Sequence, residues 1–132
     1  MKALFDAIYT LFAAGGDFYD DMGGRLYLYE QPQGATYPLC VYTLVSDAPE
    51  FYFRSKEWED IDIQFNIYTK ESSADNILDY YEHLKTMFDN AALSVTGWSK
   101  VGFTRTLALL LRDPDDGTWQ HTTQYTAWLI KS

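Results

Sequence analysis

The chain has 132 residues, a length that suits one domain and leaves little for a second. Hydrophobic residues make up 47% and charged residues 22%, a globular composition that excludes a disordered chain. Acidic residues number 19 against 10 basic ones, a formal charge of −9, and Lys and Arg are scattered singly. That excludes binding to nucleic acid by phosphate neutralisation and disfavours an anionic membrane surface.

The first residues read as a helix over about 2–14, because Leu4, Phe5, Ile8, Leu11 and Phe12 form one apolar stripe. Asp6 interrupts the apolar run and the spacing is helical, so a signal peptide is not expected. Gly15-Gly16 ends the helix, and a short polar loop follows as far as Gly23-Gly24. Residues 25–29 read as a strand, 31–38 as a Pro- and Gly-bearing connection, and 39–46 as a central strand. Ala48-Pro49 marks a break.

The clearest strand spans 59–68. Ile61, Ile63, Phe65 and Ile67 point one way, and Asp60, Asp62, Gln64 and Asn66 the other. Ser72-Ser73-Ala74-Asp75 then reads as a Ser-capped start of a second helix over about 73–89, with Ala74, Ile77, Tyr81, Leu84 and Phe88 as its stripe. Strands at 101–112 and 119–130 follow, joined by the turn-rich 113–117. The expected order is α-β-β-β-α-β-β in a single domain over 1–132. Its fold class is α+β: a largely antiparallel sheet with both helices packed on one face.

No nucleotide-binding, nucleophile-elbow or zinc-protease motif occurs. His83 and His121 are the only histidines, read as a helix-surface and a sheet-lining residue. Cys40 cannot close an intramolecular disulfide, which points to a reducing compartment, and its apolar run reads as buried. Asp113, Asp115 and Asp116 resemble the start of a calcium loop, but Thr118 and Gln124 stand where its glycine and bidentate acid belong. Asp60 and Asp62 share a strand face and could serve as paired carboxylates, yet a solvated sheet face explains them. The expectation is therefore no enzyme, no cofactor and no metal.

Aromatic residues reach 17%, with 11 Tyr, 8 Phe and 4 Trp, more rings than one small core needs. Phe51, Tyr52, Phe53 and Trp58 lie in a charged, turn-like segment, and alternate rings of an extended stretch cannot all enter one core. They are expected to form a contact with another chain; the alternative is a local lid.

The order of elements resembles the tail-terminator (tail-completion, or head-tail joining) proteins of long-tailed phages and prophages. The likeness runs through the N-terminal helix, Arg25-Leu26-Tyr27, the connection from Pro32 to Pro38 and the strand ending Val41-Tyr42. It resumes at Asp62-Ile63-Gln64-Phe65-Asn66-Ile67-Tyr68 and the following helix, and ends with Arg112-Asp113-Pro114-Asp115-Asp116-Gly117 and the strand bearing His121. The resemblance implies a virion protein without cofactor or enzyme activity, assembled in the bacterial host cytoplasm. It implies a homohexameric ring on the head-proximal end of the tail tube, touching the tail-tube protein and the head connector or neck proteins. DNA would pass through without specific binding. Asp60, Asp62 and Gln64 are then expected on an acidic lumen, where like charge gives phosphate no reason to adhere. A small α+β ligand-binding or regulatory domain of a bacterial cytoplasmic protein, with a pocket between helices and sheet, is the alternative.

Overall fold

The computed structural model describes residues 2–51 and 57–131. Its elements are α1 (Lys2–Ala13), α2 (Asp17–Met22), β1 (Leu26–Leu28), β2 (Leu39–Phe51), β3 (Glu57–Thr69), α3 (Asp75–Phe88), β4 (Trp98–Arg112) and β5 (Trp119–Lys131). The class is α+β, as the periodicities predict.

Three local expectations are corrected. The loop after α1 contains the short helix α2. Phe18 and Met22, four residues apart, bury one face of it, and Asp17 and Asp20 sit in its first turn, where the helix dipole favours acids. Gly23 closes it in the left-handed conformation at φ 59°. Next, Ala48-Pro49 does not break β2, which pairs on through Ala48↔Asp60 and Pro49↔Glu59. A strand with one open side tolerates a residue lacking an N–H. Finally, α3 has Ala74 at its N-cap with no side-chain cap; Ser73 Oγ instead accepts from the Asp75 N–H at 3.1 Å.

The strands form one five-stranded sheet in the order β1-β2-β3-β5-β4. β1 runs parallel to β2, and every other pair is antiparallel. After β3 the chain passes through α3 to the edge, lays down β4, and returns as β5 between β3 and β4. One connection is tied down by Arg25, whose Nε donates to the Pro38 carbonyl at 2.9 Å.

All three helices join one buried cluster with the core face of the sheet. Leu4, Ile8 and Phe12 come from α1, Ile77, Leu84 and Phe88 from α3, and Ile61, Ile63, Phe65 and Ile67 from β3, each with no exposed surface. The centre of this cluster is aromatic. Phe65 stacks on Phe88 at 4.7 Å between ring centroids and meets Tyr125 edge-on at 5.7 Å, while Phe103 and Tyr125 stack at 4.6 Å. Much of the ring excess is therefore consumed inside the fold, by offset and edge-on packing that adds to simple area burial.

Candidate functional site

The face of the sheet opposite the helices carries a continuous polar ladder. Strand alternation puts Asp60, Asp62, Gln64 and Asn66 there, because their neighbours Ile61, Ile63, Phe65 and Ile67 occupy the core. Asp62 accepts from Ser46 Oγ at 2.9 Å and from Thr126 Oγ1 at 2.6 Å, so three adjacent strands meet at one carboxylate. Farther along, Asn66 Oδ1 accepts from Gln64 Nε2, Gln120 Nε2 and Thr122 Oγ1 at 2.9, 3.2 and 2.8 Å. These bonds hold the acidic and amide groups in fixed positions, which suits a rigid surface.

At one end of that face lie two tryptophans. Trp58 and Trp128 have ring centroids 5.9 Å apart, and Trp58 Nε1 donates to Asp60 Oδ1 at 2.8 Å. Trp128 pairs with Gly102 on β4, and its ring lies where a Cβ on that glycine would be, 1.9 Å from Cε2. The glycine is what allows the indole to lie flat across the sheet.

The edge strand β4 has a different character. Its register shifts between Arg105 and Leu107, so the alternation flips at Thr106. Before the bulge Phe103 faces the core. After it, Leu107, Leu109 and Leu111 pair with Gln124, Thr122 and Gln120 and join the polar face, where they are 49%, 47% and 45% exposed.

On the helix side the charged groups are engaged in holding elements together. Asp89, just past α3, accepts from the Tyr125 hydroxyl at 2.5 Å and from Arg105 Nη2 at 3.2 Å, and Arg105 Nη1 donates to the Tyr81 hydroxyl at 2.8 Å. Burial, then the bond to Asp89, pushes the Tyr125 hydroxyl strongly upward in pKa. His83 on α3 pairs with Asp21 on α2, and that hydrogen bond raises its pKa. His121 is buried against Tyr81, with rings 4.0 Å apart and Nδ1 3.2 Å from Thr123 Oγ1. Burial, with Lys85 nearby, lowers its pKa to about 4, so it is neutral at physiological pH. Cys40 is buried, and desolvation raises its thiol pKa well above the ordinary value, which leaves it inert as a nucleophile.

Among the described residues, open clefts lie at the periphery. One of about 520 Å³ sits beside the β4–β5 turn, between Tyr37, Tyr68, Arg112 and Asp116. Another of about 300 Å³ lies between the α1–α2 turn and α3, lined by Leu11, Phe18, His83 and Met87. The helix–sheet interface, where a ligand-binding domain would hold its ligand, is filled by the ring cluster around Phe65. The Asp113–Asp116 segment is a turn satisfied by its own backbone: Asp113 Oδ1 accepts from the Asp115 N–H and Asp116 Oδ1 from the Thr118 N–H.

Of the predicted site residues, the structure brings Asp60, Asp62 and Gln64 together on one face. Trp58 joins them there, packed against Trp128 of its own chain. Phe51 ends β2, the last of the 13 residues that begin at Leu39, whereas Tyr52 and Phe53 lie outside the described residues. Sequence reading missed the leucine stripe. Its signal was present in 107–111 (LALLL): an uninterrupted apolar run in a strand must expose one side unless both faces are covered.

Comparison with family models finds no match, and comparison with curated proteins finds none either. Among solved structures, the chain is similar to a chain of the "Virion of native gene transfer agent (GTA) particle". The TM-score is 0.77 at 13% sequence identity, over 95% of this chain and 92% of that one. At that identity the likeness establishes a shared fold across nearly the whole length of both chains.

Proposed function

We propose that this chain is a structural virion protein that forms a ring at the head-proximal end of a phage tail tube, ending tube growth and offering the surface to which the head joins. The observation that carries the reading is the full-length fold likeness to a chain of a virion particle. The tail-terminator role itself rests on the order of elements and the motif runs from Arg25 to Tyr42 and from Asp62 onward. The ring is a homohexamer bound by the tail-tube protein on one side and the connector or neck proteins on the other, assembled in the host cytoplasm and retained in the virion. It has no catalytic role, and its ionisable groups on the helix side serve as ties between elements.

Asp60, Asp62 and Gln64 line the lumen in this reading. The ladder that pins them supports it, since a fixed polyanionic wall repels passing DNA without binding it. Removing the gene from its virion-producing host tests the proposal. Tails of uncontrolled length, unattached to heads, are expected in electron micrographs; normal tails carrying heads would overturn it. An assembled ring with Asp60 and Asp62 on its outer circumference would overturn the lumen assignment alone.

A further inference from the structure

The two sides of the sheet end differently from the way most isolated sheets do. Native proteins blunt an exposed edge with charges, proline, short strands or a covering loop, because open N–H and C=O groups invite pairing with another chain. β4 is a 15-residue strand at one end of the sheet, and its run 106–111 has no charge and no proline. Its only strand partner among the described residues is β5. Leu107, Leu109 and Leu111 stand about half exposed along the same run. The bulge lies at the start of this run, and an uncharged apolar stretch at an open edge is an aggregation hazard unless something covers it.

A second open edge lies at the opposite end of the same sheet. β1 spans three residues and pairs with Cys40, Val41 and Tyr42 only, so among the described residues no strand lies outside 43–51 of β2. Val45, at the bulge in that run, is 48% exposed. Charge distinguishes the two edges. β4 contains Lys100, Arg105 and Arg112 and no acid, whereas 43–51 contains Asp47 and Glu50 and no base. Arg105 is already held by Asp89, and the Arg112 guanidinium lies over the Trp119 ring, 4.8 Å from its centroid.

We propose that β4, through Leu107, Leu109 and Leu111, docks on the 43–51 edge of β2 in a second copy of this chain, extending the sheet from one subunit to the next. The alternative occupant, β4 of another copy, sets base against base and is disfavoured. Joining two different edges is a heterologous contact, which builds a ring when the rotation between copies closes and a filament when it does not. This inference rests on the ring reading above and specifies the surface that builds it.

Two measurements test it. Leu109→Glu, at a half-exposed position, should leave the circular dichroism and melting temperature near wild type. It should also raise the concentration for half-assembly about tenfold or more, read by size exclusion with light scattering. For the orientation, Leu107→Cys, Leu109→Cys or Leu111→Cys protein is mixed with Val45→Cys or Ser46→Cys protein and mildly oxidised; the native Cys40 is buried and does not compete. At least one mixture should give disulfide-linked dimers that neither variant gives alone. If wild type forms rings that persist in Leu109→Glu, or if β4 variants cross-link with themselves, this surface is overturned and the ring reading stands. A wild-type chain that stays monomeric at every concentration overturns both.

Discussion

Gly102 and Trp128 illustrate how single positions set the surface of this molecule. Any side chain at Gly102 must displace the Trp128 indole, which in turn is in contact with Trp58. Gly102→Ala is therefore expected to destabilise the fold by about 1–3 kcal/mol, the usual cost of overpacking, measured by denaturant unfolding. A variant as stable as wild type would mean the indole has another place to lie. Asn66 is a comparable case on the polar side: one amide oxygen takes three hydrogen bonds, so an apparently solvated residue is 7% exposed and structural. Alternation in the sequence correctly puts Asn66 on the face away from the helices. It carries no information about the partners, two of which, Gln120 and Thr122, come from β5 more than fifty residues later.

At the scale of elements, α3 joins two histidines of opposite behaviour. His121 beneath it has a pKa lowered to about 4 by burial, against roughly 6.5 in an unfolded chain. The unfolded state thus takes up the proton first, and stability falls as pH drops from about 6.5 to 4, by on the order of 3 kcal/mol at ~1.4 kcal/mol per unit. His83 has the reverse sign. Asp21 raises its pKa, so its contribution is full below the unfolded value and is lost as pH rises through the folded one. Unfolding measured across pH 4–8 should show net loss on the acid side. Proton titration by NMR should find His83 returned toward its ordinary pKa in Asp21→Asn, with His121 unmoved. A shifted His121 in that variant would refute the separation. The pairing of α2 with α3 was hidden in the sequence because DFYDDM looks like loop; only its two apolar residues, spaced one turn apart, betray the helix.

For the whole molecule, the charge of −9 sets a cost on assembly. Copies brought together repel one another, and the repulsion is screened over about 10 Å at 0.1 M salt and reaches farther in dilute buffer. Self-association should therefore weaken as ionic strength falls, read by light scattering on a salt series. The opposite trend would mean that local attraction between edges outweighs the net charge. The aromatic excess also acts at this scale. Composition predicts rings left over for interfaces, and the fold spends many of them internally, around Phe65; what it leaves exposed on β4 is aliphatic.

Sequence alone determined the α+β class, nearly every strand, the two longer helices and the polar face of β3. These follow from burial periodicity, which is local: each side chain's orientation depends on its own place along a helix or strand. It also determined the sign of the molecule's net charge, which needs no fold. Tertiary structure alone decided that β5 inserts between β3 and β4, leaving β4 at the edge, and that the bulge at Thr106 turns Leu107, Leu109 and Leu111 outward. Strand order and register arise from pairing between distant segments, and no periodicity within one segment encodes which neighbour it will have.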